Sequence, residues 1–351
     1  MVDISLSDVR LRHGGQEVLK DISFAVPDAS VVALLGPAGS GKTSLLRAIA
    51  GLARPHAGSI RIGEQVVFDA KKRIDVPAQH RGVGLQSQSD SLWPQWTAFD
   101  NVAYCAHLAT AGVGDIKVRT LQALDDAGAL DLALRFPAQL SEAERRRVAL
   151  ARALVAHAPV LLLDDPLALL ERTPRAEART WLRSLITSRR VPAVIATRDP
   201  VEAMALSDRV VLLNDGAVEQ EGPPAELYRE PDTLFAFEFM GQCNRLEGTL
   251  VENAGTRALI EVAGCRVGGV TQTRAATGTR ATGVIRVERT MVGGGPGTNR
   301  IPMQLKAQMC LGDRWEMVFV KDSLTVRAYA TIPLGHVDYH VEFPPDALWV
   351  F

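Results

Sequence analysis

The run Gly36 to Ser44 reads GPAGSGKTS and fits G-x-x-x-x-G-K-[ST], with Gly36, Gly41, Lys42 and Thr43 at the fixed positions. No other feature restricts the fold so tightly, because the motif works only where a strand runs into a glycine loop and the loop into a helix. The flanks comply. Val31-Val32-Ala33-Leu34-Leu35 is an apolar run of strand length, and Leu45, Leu46 and Ile49 then recur at helical spacing. A chain of this design binds a nucleotide triphosphate or descends from one that did.

A triphosphate needs backbone N–H groups pointing inward, and Gly36, Gly39 and Gly41 let the chain approach phosphate oxygens without a Cβ in the way. Pro37, Ala38, Ser40 and Ser44 complete the expected cradle. Lys42 places its ammonium against the β- and γ-phosphates, and the Thr43 hydroxyl is a ligand for Mg²⁺, which prefers oxygen donors shared with phosphate.

At 351 residues the chain exceeds one typical domain, and 47% hydrophobic with 23% charged residues is ordinary globular composition. A formal net charge of −1 offers no basic field for nucleic acid, so no nucleic-acid partner is expected. The four cysteines, Cys105, Cys243, Cys265 and Cys310, form no C-x-x-C pair, which fits a reducing compartment and speaks against zinc. No stretch approaches the roughly 18 to 20 apolar residues of a membrane span, and the start, MVDISLSDVRLR, has no apolar signal core. The expectation is a cytosolic protein whose membrane association comes through a partner.

Alternation at Ile4-Ser5-Leu6 and at Ile22, Phe24 and Val26 predicts half-buried strands ahead of the glycine loop. Residues from about 98 to 135 are rich in Ala and Leu at helical spacing and read as a helical insert. Val160 to Leu163, Val194 to Ala196 and Val210 to Leu213 are continuous apolar runs separated by helical patterns, which predicts parallel strands buried on both faces. After about Gly241 the texture changes to short alternating segments such as TRALIEVAG, RWEMVFV and LTVRAYA, an all-β domain with the look of a small barrel. His336 and His340 in GHVDYHVEF lack a third ligand at a recognisable spacing, so a strand-surface pair is the better reading than a metal site.

Four further segments carry a family resemblance. RGVGLQSQSDSLWPQWTAFDNVAY, Arg81 to Tyr104, resembles the Q-loop region of ATP-binding-cassette (ABC) ATPases, with Gln88, Leu92, Pro94, Thr97, Asn101 and Val102 in register. LSEAERRRVALARAL, Leu140 to Leu154, resembles the signature region that usually begins LSGGQ. Leu161 to Pro166 resembles Walker B, and Ala196-Thr197-Arg198-Asp199-Pro200 falls at the switch, or H-loop, position. The resemblance covers about residues 3 to 240. From Asn244 the tail resembles, more weakly, the transport-associated OB-type domain of importers for sulfate, ferric iron, polyamines or sugars.

The resemblance implies an α/β P-loop NTPase of the ABC class over residues 1–240, with a helical subdomain at about 95–155, and a small all-β OB-like domain over 241–351. It implies ATP and Mg²⁺ as ligands, with Thr43, Gln88 and Asp164 around the metal and Asp165, Arg198 and Gln88 as catalytic groups. His13 falls where the family stacks an aromatic ring on adenine, and Ser141 belongs to the signature that grips ATP. The implied partners are integral-membrane permease subunits, a second ATPase subunit in a homo- or heterodimer and, indirectly, a periplasmic or extracellular binding protein. The implied place is the cytoplasm, peripheral on the inner face of the membrane through the permease.

Several positions depart from the family pattern. The residue after Asp164 is usually Glu and here is Asp165, one methylene shorter; the switch position usually holds His and here holds Arg198. LSGGQ has become Leu140-Ser141-Glu142-Ala143-Glu144, which places two carboxylates at a helix start unless Arg145, Arg146 or Arg147 offsets them. Ser141 followed by Glu144 also fits the capping box S-x-x-E. The D-loop, usually SALD, reads Ala168-Leu169-Leu170-Glu171. Two readings follow: an ATPase that powers an importer, or an ATP-binding subunit with impaired hydrolysis and a structural or regulatory role. An unrelated P-loop kinase or GTPase leaves the Q-loop and signature flanks unexplained.

Overall fold

A computed structural model describes residues 2–87, 92–109, 115–167, 175–293, 295–335 and 338–351. The chain divides into two compact units, Met1–Glu230 and Pro231–Phe351. The division falls ten residues before the expected boundary at 240/241, for a local reason. Arg286, on a strand of the second unit, donates from Nη1 to the carbonyls of Phe237 and Gly241 at 2.7 and 2.8 Å. Its guanidinium also stacks 4.1 Å from the centre of the Phe237 ring, so the helix Leu234–Met240 belongs with the second unit.

In the first unit the continuous apolar runs form one sheet in the order Ala217–Gly222, Arg209–Asn214, Val31–Leu35, Ala193–Thr197, Val160–Asp164, Val83–Gln86. All neighbours are parallel except the outermost pair at the Ala217–Gly222 edge. Val31–Leu35, Val160–Asp164 and Ala193–Thr197 are buried at every position, as strands covered on both faces must be. A second, antiparallel sheet holds Ile4–His13, Gln16–Val26 and Ala57–Ile62, where alternating burial turns one face to the core.

Helix α1, Lys42–Ala50, leaves the glycine loop and packs Leu45, Leu46 and Ile49 into the core shared by the two sheets. Each such side chain contributes about 1.5–3 kcal/mol by leaving water. Arg81 completes the far end of α1: its buried guanidinium donates from Nη1 to the carbonyls of Ala48 and Ile49 and from Nη2 to Asp75. A cation on the terminal carbonyls of a helix satisfies groups that have no partner within it.

On the opposite face of the parallel sheet lie α2, Ala98–Ala109, α3, Ile116–Asp126, and α4, Glu142–Val155, the expected helical insert. Helices α5, Arg175–Arg189, and α6, Pro200–Leu206, follow later in the chain. Asn101 knits the segment ahead of α2 together, for its buried amide donates to the carbonyls of Trp93, Trp96 and Thr97 and accepts from the Trp93 N–H.

The second unit is the expected all-β domain. Cys243–Asn253, Arg257–Val262, Cys265–Thr271, Trp349–Val350 and Arg280–Arg286 close into a barrel, and a five-stranded sheet built on Arg300–Cys310 stands beside it in the same core. A five-stranded closed barrel is the frame of an OB-like domain. Of the histidine pair, His340 lies on the strand Asp338–Glu342 and His336 lies outside the described residues. Among the described residues there is no metal-binding cluster of His, Cys, Asp or Glu, and no helix long and apolar enough to cross a membrane.

Candidate functional site

The parallel order brings the C-terminal ends of three strands together. Leu35 runs into the glycine loop, Asp164 ends its strand with Asp165 beyond it, and Thr197 ends the strand between them with Arg198 following. A cavity of about 150 Å³ opens there, lined by Ala38, Gly39, Lys42, Thr43, Asp164, Asp165, Ala196, Thr197 and Arg198. Residues more than a hundred positions apart thus form one polar pocket at the carboxyl edge of an α/β sheet, where such folds bind ligands.

The loop geometry explains its glycines. A Cβ at Gly36 would lie 2.2 Å from the Leu213 carbonyl oxygen, and Gly41 has φ +98° as it enters α1. Lys42 folds back over the loop, donating to the carbonyls of Gly36 and Pro37 at 2.8 and 2.7 Å and to Ser40 Oγ at 3.1 Å. Burial, then the charge of Arg198, lowers its pKa from 10.5 to about 8. Thr43 Oγ1 donates to Asp164 Oδ1 at 3.2 Å. Burial raises the Asp164 carboxyl above its ordinary value against the pull of that hydrogen bond, and the neighbouring Asp165 charge adds to the rise.

Lys42 couples the stability of the fold to pH. In the free protein the charged form is disfavoured, so between about pH 8 and 10.5 the folded chain has released a proton that the unfolded chain keeps, and this group adds stability as pH rises through that window. A phosphate seated against Lys42 would restore the ammonium. Mg-ATP binding should therefore take up about 0.5 proton per site at pH 8 and about 0.9 at pH 9. Titration calorimetry in buffers of different ionisation enthalpy reads this directly, and an enthalpy independent of buffer at both pH values would rule it out.

Asp165 is the least ordinary residue of the pocket. Its φ is +55°, in the left-handed region that costs a non-glycine residue about 1–3 kcal/mol. Its N–H donates to the Ala196 carbonyl at 2.8 Å, and its own carbonyl accepts from Arg146 Nη1 at 3.1 Å. Arg198 Nη2 lies 3.8 Å from Asp165 Oδ2; with the Arg198 side chain 59% exposed, this pair contributes little to stability. Thr197, fully buried, donates to Glu202 and accepts from the Asp199 N–H, which fixes the strand end from which Arg198 projects.

Other expected site residues lie elsewhere. His13 is exposed at the end of Ile4–His13, paired with Gln16 and outside the pocket lining. Ser141 is the N-cap of α4: its Oγ accepts from the Glu144 N–H, and the Glu144 carboxylate accepts from the Ser141 N–H, so the capping box is formed. Glu142 is offset by Arg146 at 3.3 Å, while Arg145 and Arg147 turn to the carbonyls of Leu140 and Gly128. Gln88 and the segment Ala168 to Glu171 lie outside the described residues. The contact of Arg146 with Asp165 is the feature that sequence reasoning missed, since nothing local marks a side chain that reaches across nineteen positions.

The fold and the pocket define a P-loop nucleotide triphosphatase. The family model for the ABC transporter matches residues 19–168. The sulfate/thiosulfate import ATP-binding protein CysA of Escherichia coli (strain K12) is 40% identical over 253 residues, 71% of this chain and 68% of that protein. The Fe(3+) ions import ATP-binding protein FbpC of Rhizobium etli is 38% identical over 261 residues, 74% of this chain and 72% of its own length. Among solved structures, the ATP-binding cassette MJ0796, a dimer bound to ADP and Pi, superposes with a TM-score of 0.57 at 27% identity, covering 63% of this chain and 98% of its own. The chain belongs to the ABC transporter family, as an ATP-binding cassette.

Proposed function

We propose that this chain is the ATPase subunit of an ABC importer, coupling ATP binding and hydrolysis to transport through membrane permease subunits. The observation that carries the reading is the pocket in which Lys42 and Thr43 face Asp164, Asp165 and Arg198. Two relatives are named for import of sulfate or thiosulfate and of ferric ions, an oxyanion and a cation, so the reading attaches to the motor and not to one cargo. Their names give a purely structural role without turnover no support. The same reading includes a second ATPase subunit, an external binding protein acting through the permease, and a place on the inner face of the membrane.

Lys42 and the backbone N–H groups of Gly39 to Ser44 hold the β- and γ-phosphates. Asp165 orients and deprotonates the attacking water, and Arg198 neutralises charge on the γ-phosphoryl oxygens, since phosphoryl transfer depends mainly on positioning and charge. The short oxygen pair of Thr43 and Asp164 suits Mg²⁺, a hard cation that would neutralise phosphate charge there, and Gln88 is the proposed further ligand. Ser141 is proposed to meet the nucleotide of the second subunit, and His13 the adenine.

The full chain, alone and reconstituted with its permease subunits, should show a thermal upshift with Mg-ATP that Mg-AMP does not give, and phosphate release that the permease modulates. Absence of both the upshift and the phosphate release would end the proposal.

A further inference from the structure

Arg146 stands on the second turn of α4 with only 7% of its surface exposed. Nη2 meets Glu142 Oε1 one turn back at 3.3 Å, and Nη1 donates to the main-chain carbonyl of Asp165 at 3.1 Å. The remaining donor, Nε, is buried without a hydrogen-bond partner. Such an arrangement carries a desolvation cost that packing alone does not call for, because an apolar side chain of similar volume would fill the space without it. Sequences break local rules of this kind chiefly at functional sites.

The group that Arg146 holds is itself unusual. Asp165 keeps a left-handed backbone at φ +55°, a state that persists only when its surroundings over-determine it. One side is pinned by the Asp165 N–H on Ala196 and the other by the guanidinium on the Asp165 carbonyl. Without the second contact the peptide is free to rotate toward commoner dihedrals, and rotation there swings the carboxylate away from Thr43 and Lys42. Glu142 in turn fixes the guanidinium from the first turn of the same helix.

We infer that Arg146 is a positioning residue for hydrolysis, gripping the Asp165 carbonyl so that its carboxylate stays aimed into the nucleotide pocket. The inference rests on the reading of Asp165 as the hydrolytic carboxylate. It makes α4 part of the hydrolytic apparatus of its own subunit: the element that begins at Ser141 and Glu142 holds, one turn later, the backbone of Asp165.

The test uses the full chain with steady-state Mg-ATP turnover and an independent ATP-binding titration. Arg146→Gln should lower kcat about tenfold or more, as misplacement of a reacting group does, while KM and the ATP affinity stay within about twofold. Arg146→Lys, which keeps a donor for one carbonyl, should recover part of that loss. Arg147→Gln removes the same charge one residue on, where the side chain donates to Gly128, and should change kcat less than about twofold. If Arg146→Gln does not fold, Arg146→Met keeps the volume without the donor and should show the same kcat loss. Turnover unchanged in the folded variant, or equal losses in the Arg147 control, would overturn the inference while leaving the ATPase reading intact. No Mg-ATP turnover by the unmodified chain would overturn both.

Discussion

Lys42→Met should leave a folded chain whose affinity for Mg-ATP is lower by about ten- to a hundredfold and whose turnover falls to background. The side chain is almost wholly buried, its ammonium lies among Gly36 O, Pro37 O and Ser40 Oγ, and the loop around it is shaped by glycines that admit no Cβ. Methionine matches the length of the stem and packs against the same wall, so the fold persists. What disappears is the buried cation seated against the glycine loop. A charge-assisted contact is worth about 1.5–3 kcal/mol, and each 1.4 kcal/mol is tenfold in affinity, so one such contact accounts for the loss in binding. Charge that develops on the transferring phosphoryl group is then left to Arg198 alone of these two cations, which adds a rate term of similar size. Titration calorimetry, thermal melting and phosphate release measured together check the three parts. Unchanged ATP affinity in the folded variant would mean that the pocket does not hold phosphate.

Asp165→Glu should raise kcat about ten- to a hundredfold with little change in KM. Both residues are carboxylates, and the backbone at this position is held by Ala196 and Arg146. The extra methylene carries the carboxylate about one C–C bond further toward the γ-phosphate, and misplacement of roughly 1 Å costs about a hundredfold. Steady-state kinetics on the two proteins decides it. A variant no faster than the parent would show that the pocket is built around the shorter acid, and the account of Asp165 as a withdrawn base would fall.

How much of this was legible beforehand differs from element to element. The parallel strands were, because Val160 to Leu163 and its counterparts are apolar on both faces and only a doubly covered sheet makes use of that. Short strands of the second unit were too, since period-two alternation survives in Arg257–Val262 and Leu324–Ala330. The boundary at 230 was not. The helix Leu234–Met240 looks like the tail of the first unit, and its allegiance depends on Arg286, far along the chain. At the site, the glycine loop, Asp164, Asp165 and Arg198 were readable as motifs and do line one pocket. The left-handed backbone of Asp165 and the reach of Arg146 were not, because tertiary contacts impose both.

The strand order has a kinetic corollary. Ala193–Thr197 lies between the strand that feeds the glycine loop and the strand that ends in Asp164, although both precede it in the chain. Those two strands are not hydrogen-bonded to each other; each pairs only with the latecomer on that side. A growing chain that has emerged as far as Asp165 holds both the glycine loop and the Asp164–Asp165 side of the pocket with no ladder to register them. Closing it awaits contacts between residues some 160 positions apart, the kind of long-range pairing that slows folding. Competence for nucleotide should therefore arise late and in one step, once the unit is whole, and ATP added during refolding should speed only the final phase.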